Sequence, residues 1–296
     1  MKNAIRTIAA ATLACALVGC SSTSTATTST GSTSSSEDKV IRVGATAVPH
    51  AEILNDVVKD VLAEDGWTLE VTEFTDYVTP NTALAEGSLD ANYFQTLGYM
   101  NDQNDTHDDF DLAAAVGVHI EPMGIYSATL SDISELEDGA TIAVPNDSDN
   151  LDRGLRVLVQ AGLLEDPGTE EYVTEATFNG NSELNPHNYE IVAVEAANVP
   201  LQIDDKKVSA VVANGNYALE ADLPSSHPAI YVESFDTETS VKRTNYVVVN
   251  KADLESEKTQ ALVKAITSDE VKQYIEDTYK GSVIASFIDE KGNAVD

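Results

Sequence analysis

Cysteine is nearly absent from this chain, with only Cys15 and Cys20 among 296 residues. Basic residues are also scarce, 17 Lys and Arg against 50 Asp and Glu, for a formal charge of −33. A field of that sign repels phosphate backbones and anionic headgroups, which argues against sequence-independent nucleic-acid binding. No apolar run reaches the roughly 20 residues that a bilayer-spanning helix requires. The usual enzyme signatures are missing as well: there is no G-x-S-x-G elbow, no P-loop and no H-E-x-x-H helix. His119-Ile120-Glu121-Pro122 matches half of a zinc-deaminase signature, but the chain lacks the P-C-x-x-C half. Asn146-Asp147-Ser148-Asp149-Asn150 starts like a calcium loop, yet its twelfth ligand position falls on Leu158, so it reads as a helix cap. What is present is ordinary for a globular protein, 42% apolar and 23% charged residues, with length for two domains or one domain of two lobes.

Lys2 and Arg6 precede an apolar run from Ile8 to Val18, the pattern of a secretory signal over residues 1–19. The run ends in Leu17-Val18-Gly19-Cys20, which resembles the bacterial lipobox, where cleavage leaves an N-terminal cysteine carrying lipid. Removing the signal also removes Cys15, so the mature chain has no intramolecular disulfide and no thiol nucleophile. Residues 20–37 are almost wholly Ser and Thr, too polar to offset ordering entropy, and read as a flexible tether. Together these place the protein at the outer face of a bacterial membrane, held by lipid on Cys20.

The remainder alternates strand and helix patterns. Val40 to Ala45, Leu69 to Phe74 and Leu89 to Phe94 read as strands, with helices over Ala51 to Leu62 and Asn81 to Ala85. A second series has strands at Ala140 to Val144, Tyr189 to Val194 and Val208 to Val212, a helix at Asn150 to Ala161 and another starting near Asn214. Tyr246 to Val249 reads as a strand, and Glu255 to Ile266 and Asp269 to Tyr279 as helices; residues 164–186 show no pattern. The expected class is α/β, two lobes each with a mainly parallel sheet flanked by helices, and a ligand cleft at the carboxyl ends of the strands.

Several segments in order resemble the NlpA/MetQ family of substrate-binding lipoproteins. They are Pro49-His50-Ala51-Glu52-Ile53-Leu54, Asp76-Tyr77 with Pro80-Asn81-Thr82-Ala83-Leu84, and Leu89-Asp90-Ala91-Asn92-Tyr93-Phe94-Gln95. Further on come His119-Ile120-Glu121-Pro122-Met123-Gly124, then Val144-Pro145-Asn146-Asp147 with Asn150 and Arg153, and Asn214-Gly215-Asn216-Tyr217. The resemblance implies a periplasmic-binding-protein fold, with crossings near Ser127 and Tyr231, lobe 1 over residues 38–127 plus 232–296 and lobe 2 over 128–231. It implies capture of methionine and delivery to the permease and ATPase of an ABC importer, without catalysis and without a cofactor. A zwitterion needs donors for its carboxylate, an acceptor for its ammonium and a pocket for its side chain. Arg153, early in its helix, is the expected carboxylate partner through its guanidinium fork, with Asn150 and Asn214 beside the polar head and Glu121 as ammonium acceptor. Tyr77, Phe94, Tyr99 and His119 are the expected wall, since a thioether packs well against aromatic rings. The resemblance leaves open L- or D-methionine, a dipeptide or an oxidised methionine.

His50 is expected to cap or pack at the first helix, outside the site. The alternative is a metal-capturing lipoprotein using His50, His107, His119 and nearby carboxylates, against which stands the wide spacing of the five histidines. A third reading, a hydrolase with an unfamiliar site, lacks a nucleophile motif.

Overall fold

A computed structural model describes residues 39–295. The expected signal, the lipid-bearing Cys20 and the tether lie outside the described residues. The chain opens with β1 (Val40–Thr46), which leads through wide helical turns at Ala47–Ala51 and Leu54–Val58 into α1 (Lys59–Glu64). There follow β2 (Thr68–Phe74), α2 (Thr79–Ala85), β3 (Ala91–Thr96), α3 (Leu97–Thr106) and β4 (Leu112–Ile120). Then come β5 (Gly124–Tyr126), β6 (Thr141–Pro145), α4 (Ser148–Gln160), α5 (Glu175–Phe178), β7 (Glu190–Val194) and β8 (Ala210–Ala213). The chain continues through α6 (Gly215–Glu220), α7 (Leu223–Ser226), β9 (Tyr231–Val232), α8 (Thr237–Arg243) and β10 (Thr244–Asn250). It ends in α9 (Glu257–Ile266), α10 (Asp269–Tyr279) and β11 (Ile284–Ile288).

Among the described residues two sheets form, one ordered β11-β4-β10-β3-β1-β2 and one ordered β7-β6-β8-β5-β9. In the first, β1 pairs in parallel with β2 and β3, while β10 runs antiparallel to β3 and β4, and β11 antiparallel to β4. In the second, β6 pairs in parallel with β7 and β8, and β5 is antiparallel to β8 and β9. The class is α/β, as the alternation of patterns requires. Two of the reversed strands, β5 and β10, are those entered directly after the chain passes from one sheet to the other, and β11 is reversed as well.

Those passages fall at residues 121–123 and 233–243. Residues 124–126 therefore belong to the second sheet, not to lobe 1, and Val232 pairs there with Gly124. The crossings expected near Ser127 and Tyr231 are displaced because β5 is only three residues long and carries no periodicity of its own.

Each sheet has its own core. Ile41, Val43, Ile53, Leu54, Val58 and Leu62 pack with Val116, Val118, Val247 and Val249 in the first, closed by Leu262, Ile266, Val271 and Ile275 of α9 and α10. Met123, Ile125, Ile142, Val144, Leu155, Leu158, Phe178 and Ile191 form the second. α4 shows how sequence builds such a layer. Asp147 caps it by accepting from the Asn150 N–H at 3.0 Å, and Leu151, Leu155 and Leu158 recur at helical spacing to face the sheet. Burial of each leucine contributes about 1.5–3 kcal/mol, and truncating Leu155 to Ala costs about 2–5 kcal/mol. The unpatterned 164–186 stretch is held by side chains gripping backbone: Asn179 exchanges bonds of 2.9 and 3.0 Å with Ile191, and Asp152 accepts from the Val173 N–H at 3.1 Å. No described helix is long and apolar enough to cross a membrane.

Candidate ligand-binding site

The carboxyl ends of β3, β4, β6 and β8 meet around one narrow cavity. This is where ligands settle in open α/β sheets. Tyr77, Phe94 and Tyr99 enter from the first lobe, Asn150, Arg153 and Asn214 from the second, and Glu121 from the crossing between them. His119 is not in the wall. It is fully buried behind Glu121, with its Nε2 2.6 Å from Glu121 Oε1, one layer beneath the cavity.

At one end, three rings form a corner. The Tyr77 centroid lies 5.7 Å from that of Phe94 and 5.8 Å from that of Tyr99, and Phe94 and Tyr99 are 6.1 Å apart, all tilted or edge-on. The Tyr99 hydroxyl donates to the Tyr77 carbonyl at 3.1 Å, which fixes the corner. Burial pushes the Tyr77 hydroxyl well above its ordinary pKa, so it is a neutral donor, and it donates to Asn216 Oδ1 at 2.5 Å across the two lobes.

At the other end, Arg153 is 4% exposed and already engaged. Its Nε lies 3.0 and 3.1 Å from the two Glu233 carboxylate oxygens, and its Nη2 donates to Glu233 Oε2 at 2.6 Å and to the Glu121 carbonyl at 2.8 Å. Burial alone lowers an arginine pKa, but the Glu233 charge and hydrogen bonds outweigh it and raise that of Arg153. The fork expected to grip a ligand carboxylate is thus taken by Glu233, and only Nη1 has no hydrogen-bond partner among the described residues. Glu233 also accepts from the Met123 N–H at 2.9 Å, so both crossings are tied to Arg153.

Two amide atoms beside the cavity are buried without partners: Asn214 Oδ1, an acceptor, and Asn216 Nδ2, a donor. A buried, unpaired polar atom costs about 1–3 kcal/mol, a cost that a polar ligand removes. The Asn214 side chain does not cap α6; its Nδ2 donates to Asn150 Oδ1 at 2.7 Å, linking two of the expected site residues. Gly215 permits this closeness, since a Cβ there would lie 2.6 Å from Glu121 Cβ.

Sequence reasoning missed several groups. Glu233 stands 80 residues from Arg153 in a segment without a motif. Gln95, Thr96, Gly215, Asn216 and Asn245 also line the cavity. Asn216 was within reach of sequence reasoning, lying two positions after Asn214. His50, expected outside the site, is fully buried beside it, with Nε2 3.3 Å from Glu121 Oε1. Of the three histidines in the metal-capture reading, His50 and His119 converge on Glu121, with donor atoms within 4.8 Å of one another. His107 lies elsewhere, on the turn after α3, stacked on Phe110.

Comparison with known proteins agrees with this architecture. The sequence profile of the family described as NlpA lipoprotein matches residues 41–287. The methionine-binding lipoprotein MetQ of Bacillus subtilis is 37% identical over 249 residues, 84% of this chain and 89% of that protein. The D-methionine-binding lipoprotein MetQ of Escherichia coli K12 is 32% identical over 237 residues, 79% of this chain and 82% of that protein. Among solved structures, a nutrient binding protein from Burkholderia cenocepacia bound to methionine superposes with a TM-score of 0.76 at 36% identity, covering 83% of this chain and all of that one.

Proposed function

This chain belongs to the NlpA lipoprotein family, and on that footing we propose that it captures methionine, or a close relative of it, in the interlobe cleft and delivers it to an ABC importer. No bond is broken. The observation that carries this reading is the division of the cleft into an aromatic corner and a polar end with unspent hydrogen-bonding capacity.

A free amino acid matches the polar end. Its carboxylate meets Arg153 Nη1 and Asn216 Nδ2, with the first turn of α4 adding positive potential. Its ammonium meets Asn214 Oδ1 and the Glu121 carboxylate. The thioether then reaches Tyr77, Phe94 and Tyr99, where each sulfur–aromatic contact contributes about 0.3–1.5 kcal/mol. The names of the relatives from Bacillus subtilis and Escherichia coli and the methionine-bound Burkholderia cenocepacia structure support methionine in one configuration or the other.

Delivery rests on two lobes that close. The Tyr77 to Asn216 bond at 2.5 Å and the Tyr217 hydroxyl to the Thr75 carbonyl at 3.3 Å join one lobe to the other. A ligand touching both lobes only in the closed form shifts the population toward it. A permease then reads that form. Retention at the outer face of the cell membrane is assigned to lipid on Cys20 after removal of residues 1–19.

A thermal-shift panel on the refolded form starting at Ser21 tests the proposal against the amino acids, methionine sulfoxide, Met dipeptides and divalent metals. Ligand at 100 times its Kd adds about 2.7 kcal/mol of stability. A rise with methionine is expected; a rise only with a metal overturns the ligand assignment.

A further inference from the structure

Glu121, 4% exposed, ends in a ring of hydrogen bonds that the ligand reading by itself does not require. Its Oε1 lies 2.6 Å from His119 Nε2 and 3.3 Å from His50 Nε2. Behind each imidazole stands a hydroxyl: Tyr93 Oη bonds His119 Nδ1, and Thr46 Oγ1 lies 2.8 Å from His50 Nδ1. His50 Nε2 is also 3.2 Å from Asn245 Oδ1. One assignment of protons satisfies every one of these contacts. Each hydroxyl donates to an Nδ1, so each imidazole carries its proton on Nε2, that of His50 aimed at Asn245 Oδ1 and that of His119 at Glu121 Oε1.

We infer that His50 and His119 are positioning residues that hold Glu121 as an ionised carboxylate at the cleft, so that the site accepts a free primary ammonium and rejects ligands whose amine is blocked. This deepens the binding role proposed above and rests on it for the ligand. The neutral His119 N–H stabilises the carboxylate without cancelling its charge, and His50, its own N–H bonded to Asn245 Oδ1, lies alongside at 3.3 Å. Burial pushes the imidazolium forms down, that of His50 to about 4 and that of His119 to about 3, so neither ring carries charge at neutral pH. Burial raises Glu121, opposed by His50, Arg153 and the Asn216 N–H. The Arg153 charge is matched by Glu233, and the hydroxyls of Tyr77 and Tyr93 facing the cluster are neutral. Held ionised against that burial by the His119 N–H at 2.6 Å and the Asn216 N–H, Glu121 has no cation of its own, and a ligand ammonium supplies one. An N-acyl amine is neutral and adds bulk where Gly215 and Glu121 approach closely.

The same donor atoms lie close enough together to suggest a metal cage. The paired hydroxyls, the His119 N–H aimed at Glu121 Oε1 and the His50 N–H taken up by Asn245 Oδ1 favour the hydrogen-bonded relay, and the metal becomes an outcome of the test.

Nitrogen-15 NMR of the histidine side chains in the ligand-stripped protein reads the relay without any ligand. Both rings are expected as neutral Nε2–H tautomers down to pH 5, shifting in Glu121→Gln and unmoved by equimolar Zn²⁺. Charged rings, the Nδ1–H tautomer or stoichiometric zinc coordination overturns the inference. Calorimetry then supplies the selectivity: wild type binds methionine at least about 100-fold tighter than N-acetylmethionine. His119→Leu loses at least about tenfold of that ratio while His119→Gln, which keeps an N–H donor, retains most of it. An unchanged ratio in a folded His119→Leu also overturns it. If methionine fails to bind while the tautomers read as stated, the relay stands and the ligand assignment falls.

Discussion

Arg153 and Glu233 form a buried ion pair joining a helix of one lobe to the return crossing, with Nη2 2.6 Å from Oε2 and both groups almost wholly out of solvent. It does two jobs at once. It ties the crossing segments to α4, and it fixes the arginine so that a single nitrogen remains for a ligand. Breaking one partner of such a pair costs about 3–5 kcal/mol, because the survivor is left charged and buried. Arg153→Ala should therefore lose stability of that order in urea denaturation and weaken methionine binding by at least about 2 kcal/mol, roughly thirtyfold. The double variant Arg153→Met with Glu233→Met should recover much of the stability and none of the affinity. Unchanged calorimetric affinity in Arg153→Ala removes Arg153 from the site.

Phe94 is 3% exposed and forms one side of the ring corner. Phe94→Ala leaves a cavity that costs about 3–5 kcal/mol of stability. It also removes a sulfur–aromatic contact, so methionine affinity should fall about three- to tenfold. Intact affinity and intact stability together would falsify the aromatic wall.

Asp149 docks from α4 onto the start of α3, in range of Thr96 Oγ1 at 3.4 Å and held by Arg243 Nη1 at 3.0 and 3.1 Å. The fit depends on Gly98, where a Cβ would stand 2.5 Å from Asp149 Oδ1. Gly98→Ala should push the Asp149 carboxylate from its place and loosen the contact between the lobes beside the cavity. The expected result is weaker methionine binding together with a larger radius of gyration in small-angle scattering; a wild-type radius with wild-type affinity removes this contact from closure.

Acid should weaken the fold through the buried histidines. His119 has an ordinary value of 6.5 and a folded value of about 3. Below 6.5 the unfolded chain binds a proton that the folded chain refuses, so the stability present above 6.5 is lost as pH falls. Asp147, raised by burial to about 6, acts in the opposite sense, so the wild-type profile mixes the two. The difference between wild type and His119→Gln isolates the histidine. The wild type's advantage should shrink by about 1.4 kcal/mol per pH unit between 6.5 and 5, and parallel denaturation midpoints over that range contradict a neutral, buried His119.

The parts legible in the sequence were those with local signals. α4 announced itself through the Asp147 cap and the spacing of Leu151, Leu155 and Leu158. β4 did not, because Leu112-Ala113-Ala114-Ala115-Val116-Gly117 has no apolar alternation and owes its place to pairing with β10 and β11. The site followed the same rule. Tyr77, Phe94, Arg153 and Asn214 sit in motifs that a family resemblance carries, while the partner of Arg153 and the layer beneath Glu121 arise from contacts between segments far apart in the chain. His119 sits in its motif two residues before Glu121, on the same face, and only the packing of the folded chain puts Glu121 at the cavity and His119 behind it.

The most direct test of the central claim is calorimetric titration of L- and D-methionine into refolded, ligand-stripped protein beginning at Ser21, with norleucine as the sulfur-free control. One-to-one binding of a methionine enantiomer, tighter than norleucine and weakened at least about thirtyfold in Arg153→Ala, is the result the cleft predicts. No heat with either enantiomer, or equal affinity for methionine in wild type and Arg153→Ala, contradicts it.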